Sequence, residues 1–222
     1  MKEKFLVINA DDFGLSYESN VAIASLLCND YISSASLMAN GPAFDEAKEL
    51  IRQKQLQDIG IHIVLTRDYF GVKKPENALL YKSLTEAPSL YDSDGNLFCR
   101  SEDLNQCARH EEVIREVSAQ IELVMNSTNV THIDCHMHSL WPKMGFGGYK
   151  AIMQAYSSCC KDRTPRYIRI AKSYYNCLPF NYVWGGRRIK PYLYLQMHLL
   201  NLRGPDFCFS FPYYALSDYT LD

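Results

Sequence analysis

The segment that decides the fold is Phe5-Leu6-Val7-Ile8-Asn9-Ala10-Asp11-Asp12-Phe13-Gly14. Its apolar start predicts a short buried strand over 5–9, and two carboxylates follow that strand at once. A sheet that binds a dinucleotide would carry Gly-x-Gly-x-x-Gly at this point, and this segment carries Asp-Asp-Phe-Gly instead. We therefore expect a (β/α) barrel rather than an open dinucleotide-binding sheet.

Strand-like and helix-like patterns alternate along the rest of the chain. Strands are predicted over 34–38, 58–65, 131–136, 167–170 and 207–211, and helices over 17–29, 42–51, 111–125, the later part of 145–160, and 191–202. This alternation is typical of a parallel sheet built from right-handed β-α-β units. Prolines and the turn sequence Asp-Ser-Asp-Gly-Asn indicate a long inserted loop around 66–105. The prediction is a single α/β domain over 1–222.

The composition excludes several classes of protein. The 222 residues carry a net charge of −2 without a dense Lys/Arg cluster, which argues against a nucleic-acid partner. No window approaches the ~20 apolar residues of a membrane span, and the apolar run near the N-terminus is too short for a signal peptide. We therefore expect a cytoplasmic protein without a membrane partner. The eight cysteines include no Cys-x-x-Cys pair, which favours free and mostly buried thiols over a zinc finger.

Carboxylates and imidazoles stand at or near the ends of three predicted strands. Asp11 and Asp12 follow the first strand, His62 lies near the end of the third, and His136 ends the fourth. In a (β/α) barrel the carboxyl ends of the strands meet at one rim, where active sites lie. One carboxylate and two imidazoles at that rim suit a divalent metal ion, and the second carboxylate is left as a base.

Two of these positions have alternative interpretations. Either Asp11 or Asp12 can bind the metal while the other takes a proton, and an aspartate at such a point also caps helices. His62 lies in the apolar run Gly-Ile-His-Ile-Val-Leu. A lone histidine in such a run is more often a hydrogen-bonded core residue than a ligand.

The strongest of the three signals is His132-Ile133-Asp134-Cys135-His136-Met137-His138. On a strand, its period-two spacing places four titratable side chains on one face, where burial without partners is costly. Because a strand rises about 3.3 Å per residue, all four cannot bind one ion. We expect His136 to be a ligand, Asp134 to orient a histidine, and His138 to reach substrate or solvent. His132 is expected to be structural.

Four segments resemble the YdjC-like carbohydrate deacetylases, a family that includes the chitooligosaccharide deacetylases. They are NADDFGLS (9–16), SLMANGPA (36–43), GIHIVLT (60–66) and THIDCH (131–136), in the family's order. The resemblance implies a distorted, TIM-like (β/α) barrel, a divalent metal, and removal of acetyl groups from N-acetylated sugars. Asp12, His62 and His136 match the family's metal ligands, and Asp11 matches its proposed catalytic base.

The chain departs from the family pattern after the fourth motif. Many members carry a late strand that ends in His-Pro, and this sequence has no His-Pro after residue 138. About six strands are predicted where a barrel requires seven or eight, so we expect the C-terminal part to be incomplete or divergent. His138 is the remaining candidate for the acid that protonates the departing amine.

The ligand set and the positions of residues near the predicted rim suggest the cofactor and the substrate contacts. One divalent ion is expected, and the ligand set leaves Mg²⁺ and Zn²⁺ open, with Mn²⁺ and Fe²⁺ as further choices. Trp141 lies in a loop after the fourth strand and is a candidate to stack on a sugar, although loop packing explains it equally well. Arg169 ends the fifth predicted strand, where a contact to substrate and a structural salt bridge are both open.

Two other functions remain as alternatives. A non-catalytic protein of the same fold would bind metal and sugar, although it would not need both Asp11 and Asp12. A different barrel metallohydrolase, such as a phosphoesterase, would need a second set of ligands, which this sequence does not offer in any obvious place. Tyrosines near the C-terminus suit a subunit interface and packing against a missing C-terminal element equally well, so a homodimer is one of two open expectations.

Overall fold

The computed structural model describes residues 4–67, 81–139, 147–160, 165, 167–170, 173–176, 195 and 197–210. The predicted contact at Trp141 and the side chain of His138 therefore lie outside the described part of the chain. The fold divides into two compact units, Met1–Tyr167 and Ile168–Asp222.

The first unit alternates strands with helices. Its elements are β1 (Asn9–Phe13), α1 (Tyr17–Cys28), β2 (Ser34–Met38), α2 (Phe44–Lys54), β3 (Ile59–Ile63), a 3₁₀ helix (Pro88–Leu90), α3 (Ser101–Cys107), α4 (His110–Ser127), β4 (Val130–Cys135), a 3₁₀ turn (His136–His138), α5 (Gly147–Cys159) and β5 (Tyr167–Ile168), a short strand at the junction of the units. The sheet order is β1-β2-β3-β4-β5, and the pairs from β1 to β4 are parallel. The predicted α/β fold with a parallel sheet is confirmed.

Strands β2 and β3 lie inside the sheet and form the centre of the core. Every residue of both strands is buried, because their sequences Ser-Ala-Ser-Leu-Met and Ile-Gly-Ile-His-Ile carry small or apolar side chains to both faces. Strands buried on both faces are typical of parallel sheets that helices cover. The polar side chains of Ser36, in the middle of β2, and of His62, near the end of β3, are therefore buried as well.

The first strand starts later than its apolar sequence predicts. The prediction of a buried strand over 5–9 is wrong: β1 is Asn9–Phe13, and the side chains of Phe5 and Leu6 are 86% and 77% exposed. The reason is register. Pairing with β2 begins at Asn9 opposite Ser34, so the apolar residues before Asn9 extend beyond the start of their partner strand. The two aspartates consequently lie within β1 rather than after it.

The turn after β1 is held by a buried asparagine. The side-chain oxygen of Asn20 accepts a hydrogen bond from Gly14 N at 2.7 Å, and its nitrogen donates to Ala43 O at 3.0 Å. Gly14 has a φ of +99°, and a Cβ on Gly41 would lie 2.3 Å from the carbonyl oxygen of Gly14. Glycine at both positions therefore allows the loop after β1 to pack directly on the loop after β2.

The region predicted as an inserted loop contains ordered elements. Between 81 and 107 it forms the 3₁₀ helix Pro88–Leu90 and α3, with a turn around Asp92–Asn96 held by Asp92 Oδ1, which accepts from the backbone nitrogens of Asp94 and Asn96. Three buried side chains of α4 bind this region and the residue after β3 through hydrogen bonds. Glu112 and Glu116 accept from residues 84–89. Gln120 exchanges two hydrogen bonds with the backbone of Val64, at 2.9 and 2.8 Å. The insertion is thus fastened to the sheet through α4.

The second unit contains a separate parallel pair of strands. β6 (Ser173–Asn176) pairs with β7 (Phe207–Ser210), and the strand predicted over 207–211 is confirmed while β6 was not predicted. In the part of the chain that the structure describes, no helix combines the length and apolar character needed to cross a membrane. Seven cysteines fall in the described residues and all are free thiols, but the expectation that they are mostly buried is wrong, because only Cys160 among these seven is buried.

Replacement of Glu116 by alanine tests the fastening of the insertion. The buried carboxylate of Glu116 accepts hydrogen bonds from Leu84 N, Thr85 N and Thr85 Oγ1 at 2.8–2.9 Å. Because these part-buried donors and the buried amide of Gln120 would lose a charged acceptor, we expect Glu116→Ala to lower the free energy of unfolding by about 3 kcal/mol, measured by urea denaturation. Glu111→Ala, an exposed acid on the same helix, is the control and should cost about 0.5 kcal/mol or less. Equal losses in the two variants would contradict this account.

Candidate metal centre

The two aspartates of β1 differ in exposure and backbone shape. Asp11 is exposed, whereas the side chain of Asp12 is 29% exposed. The pairing of β1 with β2 shifts register between Ala10 and Phe13, and Asp12 has a φ of +64°. A left-handed conformation is uncommon for residues other than glycine, and such strain concentrates at functional sites. The irregularity gives two neighbouring carboxylates different environments.

Asp12, His62 and His136 come together at the carboxyl end of the sheet. Asp12 Oδ1 lies 3.2 Å from His62 Nε2 and 3.0 Å from His136 Nδ1. One ligand atom from each of the three residues lies within 4.8 Å of the others, which is close enough for a single ion. The two histidine side chains are 1% and 3% exposed, so this cluster is open to solvent mainly on the side of Asp12.

The alignment of β3 with β4 places Asp134 beside His62. The two residues are register partners, and His62 Nδ1 donates to Asp134 Oδ1 at 2.5 Å. Ser36 Oγ, on β2, donates to the other carboxylate oxygen of Asp134 at 2.5 Å. With the proton of the ring held on Nδ1, the nitrogen that faces Asp12 is the one able to bind a metal.

His136 reaches the cluster from a turn rather than from a strand. The expectation of four side chains on one strand face is wrong, because β4 ends at Cys135 and His136–His138 forms a 3₁₀ turn with Met137 at a φ of +50°. His136 packs edge-on against two rings, His62 at 5.4 Å and Tyr81 at 5.7 Å between centroids. These contacts fix the plane of the His136 imidazole.

Opposing forces act on the Asp12 carboxyl group. Burial alone would raise its pKa, but hydrogen bonds and charge from His136 and His62 outweigh the burial and hold the pKa well below its usual range. Asp12 is therefore ionised at neutral pH, as a metal ligand must be.

For the His62 imidazole, burial and the neighbouring carboxylates also act on the pKa in opposite directions. Its complete burial would lower its pKa, but the charge of Asp134 and the hydrogen bonds with Asp12 and Asp134 raise the pKa well above its usual value. Two carboxylates thus surround a buried site that favours positive charge. A divalent cation satisfies the same carboxylates.

The residues of this cluster fit a divalent metal ion. Asp12, His62 and His136 offer one carboxylate and two imidazoles, a donor set that suits Zn²⁺ and other first-row transition metals and leaves coordination positions open. A carboxylate that accepts from the second nitrogen of a histidine ligand is the usual support of such sites, and Asp134 stands in that relation to His62.

Sequence reasoning did not assign a role to Asn9, Ser36 or Tyr81. Each of them makes contacts with distant parts of the chain, which the sequence does not reveal. Only Asn9 has a local sign of its role, because it stands just before the Ala-Asp-Asp sequence.

His132 packs over Gly60. A Cβ on Gly60 would lie 2.2 Å from His132 Nε2, so glycine is required there. The sequence pattern around His62 hints at this close packing through the same glycine.

The other predicted site residues are not part of the cluster of Asp12, His62 and His136. The backbone of His138 ends the 3₁₀ turn that begins with His136. Trp141 is outside the described residues. Arg169 follows β5 in the second unit and is partly exposed. Their proposed roles stay predictions.

Comparison with known proteins assigns the family. A family model described as YdjC-like protein matches residues 5–189 of the chain. The chain belongs to the YdjC-like family. Among curated relatives, this YdjC-like chain is 35% identical over 136 residues to a carbohydrate deacetylase of Geobacillus stearothermophilus, covering 61% of this chain and 50% of the relative. It is 34% identical over 146 residues to a chitooligosaccharide deacetylase of Yersinia pestis (strain Pestoides F), covering 61% of this chain and 50% of that relative.

A solved structure supports the fold. It is a protein of Enterococcus faecalis V583, provisionally assigned to cellobiose-phosphate cleavage, with a TM-score of 0.53 and 24% identity. The match covers 74% of this YdjC-like chain and 57% of the other. The chain spans about half the length of the curated relatives it matches.

Asp134→Asn tests whether Asp134 supports a metal ligand. The variant keeps the shape of the side chain but removes the charge that faces His62 Nδ1. We expect the Kd for Zn²⁺, measured by isothermal titration calorimetry, to rise about 10- to 100-fold. Asp58→Asn changes an exposed aspartate just before β3 and is the matched control, with an unchanged Kd. An unchanged Kd in Asp134→Asn would show that the pair does not support metal binding.

Proposed function

We propose that this YdjC-like protein is a metal-dependent hydrolase that removes acetyl groups from N-acetylated sugars. The observation that carries the proposal is the convergence of Asp12, His62 and His136 next to a second, exposed carboxylate, Asp11. A metal site beside a solvent-facing carboxylate is the equipment of a hydrolase that activates water. The relatives named carbohydrate deacetylase and chitooligosaccharide deacetylase support the choice of substrate.

Asp12, His62 and His136 are the residues that would hold the ion. When bound, a divalent ion supplies a Lewis acid that polarises the acetamide carbonyl and lowers the pKa of water. Asp134 keeps the proton of His62 on Nδ1 and so presents Nε2 to the cluster. Burial of the imidazoles excludes water from this side of the site and strengthens electrostatic interactions within it.

Asp11 is proposed as the base. It is exposed, adjacent in sequence to Asp12, and can take a proton from a water molecule that attacks the carbonyl carbon. The new carbon–oxygen bond forms as the proton moves to the Asp11 carboxylate. The carbon–nitrogen bond then breaks, acetate leaves, and the departing amine receives a proton from an acid, for which we propose His138.

The substrate contacts and the wider fold belong to the same proposal. Trp141 is proposed to stack on a sugar ring and Arg169 to bind its polar groups. The parallel sheet is proposed to be part of a distorted (β/α) barrel, with the metal cluster on the rim formed by the carboxyl ends of its strands. Zn²⁺ and Mg²⁺ are the ions we propose first.

Acetate release from N,N′-diacetylchitobiose tests the function. Protein stripped of metal with EDTA should be inactive, and reloading with Zn²⁺ or Mg²⁺ should restore release. Asp11→Asn should lower kcat about 10²- to 10⁴-fold because the general base is lost, while the Kd for the metal changes little. Asp30→Asn, an exposed aspartate in the turn after α1, should retain full activity.

The outcomes separate the parts of the proposal. Release that does not depend on metal would contradict a metal-dependent mechanism. Full activity in Asp11→Asn would remove Asp11 from the role of base while leaving a deacetylase. No release by the metal-loaded protein, on either this sugar or its 6-phosphate, would contradict the deacetylase function and favour the alternative of a protein that only binds metal and sugar.

A further inference from the structure

We propose that Asn9 is a positioning residue that holds the Asp11 carboxylate in place and ties it to the carboxylate that supports His62. The inference rests on the proposed function, in which Asp11 is the base. It assigns a role to a side chain that neither binds the metal nor reacts. Four hydrogen-bonding contacts of the Asn9 amide carry it.

The nitrogen of the Asn9 amide faces two acceptors. Asn9 Nδ2 donates to Asp11 Oδ1 at 2.7 Å and to Ser36 Oγ at 2.8 Å. A hydrogen bond to an ionised carboxylate is stronger than one between neutral groups. The first contact therefore restrains the carboxylate of an exposed residue.

The oxygen of the same amide faces two donors. Ser34 Oγ donates to Asn9 Oδ1 at 2.6 Å, and His132 Nε2 lies 3.1 Å from the same oxygen. His132 Nε2 also lies 3.2 Å from Ser36 Oγ, whose proton goes to Asp134 Oδ2, so both oxygens beside Nε2 can only accept. The proton of the neutral ring therefore lies on Nε2, which donates to the amide oxygen of Asn9 and to Ser36 Oγ. The residue expected to be merely structural thus sets the orientation of Asn9.

The hydrogen bonds of Ser36 independently assign the nitrogen and the oxygen of the Asn9 amide. Ser36 Oγ gives its proton to Asp134 Oδ2 at 2.5 Å, so toward Asn9 it can only accept. The neighbour of Ser36 in this network is therefore the amide nitrogen. The reversed amide would place its oxygen against the Asp11 carboxylate, which is unfavourable.

The network connects the proposed base, Asp11, with the proposed metal ligand His62. From Asp11 it passes through Asn9 and Ser36 to Asp134, which accepts from the ligand His62. The proposed base on β1 is thus connected through the buried Ser36 of β2 and Asp134 of β4 to the ligand His62 of β3. Catalysis by an exposed carboxylate requires a defined orientation, because misplacement by about 1 Å can cost on the order of 100-fold in rate.

Two variants of Asn9 test the proposal. Asn9→Ala removes the donor to Asp11, and Asn9→Asp keeps the shape and the oxygen facing Ser34 while it replaces the donor with a second acceptor. In the zinc-loaded protein, both should lower kcat for diacetylchitobiose about 10- to 100-fold, the effect of one charge-assisted hydrogen bond. KM should stay unchanged, because a positioning contact acts on the reaction rather than on substrate binding.

A double-mutant cycle separates positioning from general damage to the site. If Asn9 acts through Asp11, adding Asn9→Ala to Asp11→Asn should lower kcat no further. Ser34→Ala is the matched control, because it removes a hydrogen bond to the other end of the same amide and leaves the donor to Asp11 in place. Its kcat should fall less than that of Asn9→Ala.

The readout that does not depend on activity is the position of the Asp11 carboxylate. Crystal structures of wild type and Asn9→Ala, both loaded with Zn²⁺, should show the carboxylate in one orientation only in wild type. The same single orientation in both proteins, or additive losses of kcat in the cycle, would overturn the proposal. An inactive wild type would contradict the proposed function, and the two crystal structures would then decide the placement of Asp11 by themselves.

Discussion

The hydrogen bond from His62 to Asp134 is the interaction on which the site depends. Both side chains are almost fully buried at the end of an apolar parallel sheet, where either group alone would be costly. Together they are tolerated, because the carboxylate compensates the imidazole and Ser36 satisfies its second oxygen. The bond also selects the ring nitrogen that faces Asp12. Parallel register across β2, β3 and β4 creates this contact, so fold and site share one cause.

Around this pair, the molecule arranges two carboxylates with different tasks. Asp12 lies in a left-handed conformation at a register shift and approaches both histidines, while Asp11 faces solvent. One irregularity in one edge strand therefore separates a ligand from a neighbouring group that can accept a proton. The glycines of the adjoining loops and Asn20 hold that irregularity against the next loop, which explains why a strained conformation persists.

Sequence reasoning anticipated the parallel sheet, its inner strands and the titratable groups at their ends, because burial on both faces leaves a clear apolar pattern. It misplaced β1, since an apolar run does not reveal where its partner strand begins. It placed His136 on a strand, because period-two spacing continues past Cys135 although the backbone turns there. It also did not predict how Glu116 and Gln120 fasten the insertion. Such contacts join side chains to distant backbone groups and leave no local pattern.

The most direct test of the central claim is the location of a bound metal. We would grow crystals of the protein with Zn²⁺ and measure anomalous scattering at the zinc edge. The account predicts one strong peak at about 2.0–2.2 Å from an oxygen of Asp12 and from His62 Nε2 and a nitrogen of His136. A fully occupied peak at another place, with these three side chains still hydrogen-bonded to each other, would contradict the assignment of the cluster as the metal centre.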